Sequence, residues 1–235
     1  TVLILNTILL SENCQSQWVS YLLPYTGLAN TLGFYDLNHG VSFGHTFSTV
    51  NEKIFYTTNS GIGWVQANYP PELRAIADVQ YINANTIYAC GAENISFSNF
   101  SRANNDYILY PKIIRDKLIR DGIKEFNNGY KGAFIKSTDG GLNWQRGSQF
   151  DTSTGYVMDI NFFDASTGYS LINANSYAQT KFYKTTNAGA NWQLVKQFDT
   201  SYVEKMIFFD MNTGIAQGIN WQKKIYKTTN AGVNW

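Results

Sequence analysis

Residues 227–235 read KTTNAGVNW, and the same phrase recurs upstream as KTTNAGANW (184–192), KSTDGGLNW (136–144) and YTTNSGIGW (56–64). Each copy sets a small hydroxyl residue, an Asx residue, a glycine and a tryptophan in fixed order. An Asx side chain caps nearby backbone N–H groups, glycine accepts a left-handed backbone, and the indole offers a large flat surface to bury. The phrase therefore encodes a tight hairpin that plants an aromatic ring, and its repetition decides the fold.

Working outward, Trp18, Trp64, Trp144, Trp192 and Trp235 are separated by 46, 80, 48 and 43 residues, the long interval holding one insertion. After each of the first four comes a short alternating run: WVSYLLPYTG, WVQANYPPEL, WQRGSQFDTS and WQLVKQFDTS. Next follows an apolar run closed by an acid or amide, LGFYD, VQYIN, INFFD and MIFFD, which delivers Asp36, Asn83, Asp164 and Asp210. Gly40, Gly168 and Gly214 stand four residues later, so hairpins are expected there, with the glycine taking positive φ. The second unit has Ile87 at that place, and its turn is expected to differ slightly. Period-2 runs KIFYTT, AFIKST, KFYKTT and KIYKTT then lead into the tryptophan phrase. Four short strands in about 45 residues cannot bury both sheet faces alone; radial stacking of such sheets, as in propeller blades, can.

The phrase resembles the Asp-box, or bacterial neuraminidase repeat, Ser/Thr-x-Asp-x-Gly-x-x-Trp. Ser137, Asp139, Gly141 and Trp144 match it fully. Thr57, Asn59, Gly61, Trp64, then Thr185, Asn187, Gly189, Trp192, and Thr228, Asn230, Gly232, Trp235 match with Asn for Asp, which keeps the cap and removes a charge. With its F-x-D-x-x-x-G partner, the unit looks most like the photosystem II stability and assembly factor-like propellers, a family also widespread in secreted proteins of non-photosynthetic bacteria. The resemblance covers the chain from Trp18 onward, except the insertion. It implies an all-β chain, a β-propeller of four-stranded antiparallel blades with four blades present. It further implies that the box joins the third and fourth strands, on the face opposite a neuraminidase active site, so Asp139 is structural rather than catalytic. Because such propellers have more blades, an incomplete ring is expected, with the stop at Trp235 a truncation boundary.

Composition narrows the partners. With 16% aromatic residues, 19 Gly and 15% charged residues, the chain suits short strands and tight turns. A net charge of +1 gives no electrostatic case for nucleic acid. Two cysteines, Cys14 and Cys90, make no disulfide framework, and Cys90 in TIYACG reads as a buried strand residue. The apolar run Val2–Leu10 is too short to span a bilayer and reads as a clipped secretory signal over residues 1–16, the mature propeller starting at Gln17 without a transmembrane segment. Lipid attachment at Cys14 and an apolar first strand are the alternatives. A secreted or cell-surface bacterial protein is the expectation.

The insertion, about residues 92–131, interrupts the second and third strands of the second blade, so it emerges opposite the box hairpins. A short helix is expected after Pro111. Residues 102–131 carry seven Lys or Arg and four Asp or Glu. Connections on this face also bring Trp221, Tyr177, Phe47, His45, Tyr69 and Arg74, and the insertion brings Arg115 and Arg120, as candidate contacts for a protein or glycan.

Catalysis has weaker support. The Arg-Ile-Pro signature that opens neuraminidase domains is missing, and three of the five arginines lie in the insertion. A carboxylate pair is available among Asp36, Asp78, Asp159, Asp164 and Asp210, in repeat positions that turns mostly explain. His39 and His45 make no metal site, and no cofactor motif is present. The expectation is a non-catalytic recognition or assembly scaffold; the alternative is a neuraminidase-like or xyloglucanase-like glycoside hydrolase completed by further blades.

Overall fold

A computed structural model describes residues 23–24, 27–46, 52–94, 130–148, 150, 155–174, 179–198, 203–218 and 224–235. The period-2 runs form strands. Blade 1 is β1 (Gly27–Phe34), β2 (Gly40–Thr46), β3 (Glu52–Thr57) and β4 (Val65–Gln66). Blade 2 is β5 (Leu73–Tyr81), β6 (Ile87–Asn94), β7 (Tyr130–Ser137) and β8 (Trp144–Arg146). Blade 3 is β9 (Gly155–Phe162), β10 (Gly168–Ala174), β11 (Thr180–Thr185) and β12 (Gln193–Phe198). Blade 4 has three described strands, β13 (Val203–Phe208), β14 (Gly214–Gly218) and β15 (Ile225–Thr228). Every sheet is an antiparallel meander in chain order. The chain is thus an all-β propeller arc, and no helix occurs among the described residues. The signal segment and the helix expected in the insertion lie outside them.

Hydrogen bonding explains the turns. In every blade the Asx after the first strand caps the next hairpin: Asp36 Oδ1 accepts from the N–H groups of Asn38 and His39, each at 2.8 Å, and Asp164 and Asp210 do the same for their own blades. Asn83 Oδ1 accepts from Asn85 and Thr86 at 3.0 and 2.8 Å, so the second unit's turn matches the others despite Ile87. Gly40, Gly168 and Gly214 correct a sequence expectation, for none has a left-handed φ. The reason is space: a Cβ there would lie 2.7, 2.5 and 2.8 Å from the rings of Phe34, Phe162 and Phe208. Blade 2 carries Tyr81 at that ring position, tilted against Tyr35 with centroids 5.9 Å apart, and Ile87 is accommodated.

The tryptophan turns form between third and fourth strands. Thr57, Ser137, Thr185 and Thr228 each accept at Oγ from the N–H of the box glycine, at 2.9 to 3.1 Å. The Asx oxygens cap the residue before each tryptophan, at 2.8 to 3.0 Å. Two successive residues are left-handed, Ser60 (φ 62) with Gly61 (φ 79), Ala188 (φ 58) with Gly189 (φ 74), Ala231 (φ 59) with Gly232 (φ 81), the pattern of a type I′ turn. The two turns of each blade leave the same edge and are tied together, as by Ala188 N–H to Ser166 O at 2.9 Å and its three counterparts.

Packing runs blade on blade in chain order. Val41, Phe43 and Ile54 of blade 1 meet Ile76, Ile87, Ile135 and Trp144 of blade 2. Phe134 and Cys90 meet Val157, Phe162 and Tyr183 of blade 3. Tyr169, Leu171 and Phe182 meet Met206, Phe208 and Trp235 of blade 4. Each box drops onto the preceding blade: Trp144 on Phe43 at 5.4 Å, Trp192 on Phe134 at 5.4 Å, Trp235 on Phe182 at 5.5 Å, all edge-on. Complete burial of each such ring stabilises by about 1.5–3 kcal/mol, so these interfaces hold the arc.

Candidate functional site

The first strands share a departure from regular pairing. In β1, β5, β9 and β13 the register shifts at Asn30, Ala77, Met158 and Glu204, one residue before Thr31, Asp78, Asp159 and Lys205. These four residues also occupy one repeat position, five before the Asx of each unit. A β-bulge re-aims the side chain that follows it. Here it turns a polar residue of each blade toward its neighbours along the inner edge of the arc.

Their contacts are with other blades. Thr31 Oγ1 donates to Ile76 O at 3.0 Å. Asp78 Oδ2 accepts from Ile160 N–H at 3.3 Å, and Asp159 Oδ2 from Met206 N–H at 2.7 Å. Lys205 Nζ closes the set, donating to Asp78 Oδ1 at 3.2 Å and to Asp159 Oδ1. Since Lys205 of blade 4 reaches Asp78 of blade 2, the first strands line the inner edge. Gln80 adds a further tie, donating to Phe162 O at 2.8 Å and accepting from Phe162 N–H at 2.7 Å.

Electrostatics follow from burial. Asp159 is wholly buried, while the side chain of Lys205 is 53% exposed. Burial, and then the neighbouring Asp78 carboxylate, push the Asp159 carboxyl up, against the pull of Lys205. Burial alone would lower the Lys205 ammonium, but the two carboxylates outweigh it and hold the charge. Cys90, opposite Asp78 in the ladder and fully buried, has its thiol pushed up by burial and by the same two carboxylates. That makes it a poor nucleophile and a packing residue. Chemically the cluster is a carboxylate pair bridged by one ammonium: a cross-brace while Lys205 stays, and an acid–base pair only if Lys205 moves away.

Sequence-predicted residues distribute unevenly around this centre. Asp36, Asp164 and Asp210 are turn caps, held below the usual carboxylate range, Asp36 chiefly by His39 and the other two by the backbone N–H groups they accept from. Asp78 and Asp159 are not turn residues, which corrects the expectation that turns account for them. Arg74 is buried at 4% and belongs to the packing rather than to a free surface. His45 stands opposite Glu52 in the β2–β3 ladder, and Tyr69 packs half-buried on the first core cluster. Phe47, Arg115, Arg120, Tyr177 and Trp221 lie outside the described residues. Lys205 was not singled out from sequence; aligning the units on their Asx residues would have placed it with Asp78 and Asp159. Among the described residues no three His, Cys, Asp or Glu side chains gather as a metal site.

No family model matches the chain, and no curated protein matches it. Among solved structures it is similar to an ancestral GH74 enzyme, with 17% identity and TM-score 0.55 over 90% of this chain and 24% of that one. It is also similar to the GH74 xyloglucanase from Xanthomonas campestris, with 12% identity and TM-score 0.54 over 93% of this chain and 31% of that one. YCF48 bound to D1 peptide overlaps at 13% identity and TM-score 0.44, over 91% of this chain and 69% of that one. The chain therefore spans about a quarter to a third of the length of the two GH74 enzymes. What it shares with those two is a fold: antiparallel four-stranded blades stacked in sequence.

Proposed function

We propose that this chain is a non-catalytic recognition or assembly scaffold of the Asp-box, photosystem II assembly factor-like kind, binding a protein or glycan through the face opposite the tryptophan turns. The observation that carries this reading is the engagement of Asp78 and Asp159. Lys205 and the backbone of the next blade take up both carboxylates, leaving neither aimed at a substrate. Topology supports the choice of face. Turns between first and second and between third and fourth strands leave one edge, so the connections between second and third strands leave the other. The longest of these joins Asn94 to Tyr130 and includes the cationic stretch of the insertion. The apolar N-terminal run supports a secreted or cell-surface location in a bacterium.

A glycoside hydrolase is the second reading, favoured by the raised carboxyl of Asp159 beside Asp78 and by the fold shared with GH74 enzymes. Incubation of the protein with xyloglucan and with sialosides, followed by reducing-end and free-sialic-acid assays, separates the two. No release above that of an Asp78→Asn/Asp159→Asn variant is expected. Release by the unsubstituted protein that this variant lacks sinks the scaffold reading.

A further inference from the structure

Blades 3 and 4 meet at the inner edge through a contact that the earlier blade steps lack. The position after each bulge holds Thr31, Asp78, Asp159 and Lys205 in successive blades, so only the last step sets a carboxylate of one blade against an amine of the next. Lys205 Nζ touches Asp159 Oδ1 across 46 residues of chain. The rest of that carboxyl is held in place: Asp159 is wholly buried, and its Oδ2 accepts from Met206 N–H at 2.7 Å. Ile160 and Met206, which flank the contact, are buried and apolar. Asp78 reaches both partners, with Oδ1 3.2 Å from Lys205 Nζ and Oδ2 3.3 Å from the backbone nitrogen of Ile160, the residue after Asp159.

These are the parts that amide formation requires: an amine, a carboxyl carbon polarised by a hydrogen-bond donor, and a second carboxylate able to carry a proton. Rigid strands hold them in contact, which replaces a bimolecular encounter by an intramolecular one with an effective molarity that reaches about 10⁵–10⁸ M in well-oriented cases. Burial sets the direction. An amide is neutral, so forming it removes the cost of keeping an ionised carboxylate out of water.

We propose that Lys205 and Asp159 condense into an intramolecular amide, with Asp78 carrying the protons, so that blades 3 and 4 become covalently tied at the inner edge. One ammonium proton passes through Asp78 to Asp159 Oδ1, leaving an amine beside a carboxylic acid. The nitrogen lone pair then forms the bond to Asp159 Cγ, and the carbonyl electron pair moves onto Oδ2, where Met206 N–H receives it. Asp78 takes a second proton from the nitrogen and delivers it to Oδ1, which leaves as water with the electrons of its bond to carbon while Oδ2 re-forms the carbonyl. Two of the three ammonium protons thus leave with Oδ1, the third stays on the amide, nothing is oxidised or reduced, and Asp78 ends as the carboxylate it began. Because the ion pair outweighs the neutral pair, the bond forms slowly after folding, and freshly folded protein carries the ionic brace described above. The reaction is one of the chain with itself and stands whether or not the recognition reading holds.

Mass spectrometry on the full 235-residue chain tests it, freshly purified and after a week near neutral pH. The intact chain is expected to lose one water. Trypsin does not cut at an amidated lysine, so it should release one branched product that contains both Asp159 and Lys205. Lys205→Arg keeps the positive charge but offers no amine, and should give no such product. Asp78→Asn keeps the shape and removes the proton carrier, and should slow the bond by at least about 100-fold. Circular dichroism reports whether each variant folds, and the peptide map of the unsubstituted chain depends on neither. Asp159 and Lys205 found unlinked after the week, a water loss that maps only to other residues, or a bond formed at undiminished rate in Asp78→Asn overturns the proposal.

Discussion

Replacing Gly189 with alanine should cost far more than replacing Gly61, although both occupy the same turn position with φ of 74° and 79°. A left-handed alanine costs about 1–2 kcal/mol, and that is the whole cost at Gly61, whose Cβ would touch only Trp64 at 3.6 Å. At Gly189 the Cβ would stand 2.2 Å from Cε1 and 2.8 Å from Cζ of Phe134. Phe134 cannot swing aside, being held by Tyr88, Trp192 and Phe162 with centroids 5.4, 5.4 and 5.8 Å away. Overpacking of this kind adds about 1–3 kcal/mol. Gly189→Ala should therefore lose about 2–5 kcal/mol and Gly61→Ala about 1–2. Urea unfolding of dilute protein, followed by tryptophan emission, should separate the two midpoints by roughly 1 M at the usual urea slope. Equal midpoints, or a larger loss at Gly61, refute the account of the box glycine as the residue that lets one blade settle on the next.

Two further substitutions probe the charges. Lys205→Met leaves the wholly buried Asp159 beside Asp78 without a cation. Breaking a fully buried pair costs about 3–5 kcal/mol; discounted for the half-exposed lysine, about 2 kcal/mol is expected at pH 8. Asp159 is raised above its ordinary 3.8 in the fold, so its protonated form favours the native state: that stability is full below 3.8 and is lost as pH rises through the raised value. The cost of Lys205→Met should accordingly shrink to about 1 kcal/mol or less near pH 5, and a cost independent of pH in urea melts refutes the raised Asp159 carboxyl. Asp139→Asn makes the second box like the other three. Burial alone would raise Asp139, but the backbone and side-chain amides of Asn143 and the Ser137 hydroxyl hold it below 3.8. Its contribution is present above 3.8 and is lost as pH falls through the lowered value. The variant should lose about 0.5–1 kcal/mol near pH 7 and less as the pH falls toward 2, in thermal melts at both.

Much of the architecture was legible because each unit repeats its local instructions. The alternating runs name the strands, Asp36, Asn83, Asp164 and Asp210 name the first turn, and Thr57-x-Asn59-x-Gly61 and its copies name the second; all depend on contacts within a few residues. The candidate site was not legible in the same way. Thr31, Asp78, Asp159 and Lys205 share a repeat position but are of three residue types, so no common residue marks them in the sequence. The bulge that aims them depends on pairing with the next strand, and their partners lie on other blades.

Sequence alone determined the blade: four short strands, two turns of fixed chemistry and an aromatic ring at a fixed place, because turn geometry and side-chain alternation are local properties. Tertiary structure decided the meaning of single residues. It made Gly40, Gly168 and Gly214 matters of space rather than of φ, since a ring two residues before the Asx of each of those units folds over them. It buried Arg74, and it moved Asp78 and Asp159 from turns to a brace across three blades. Only the stacking of blades brings such residues together, through contacts between blades that no single unit's sequence specifies.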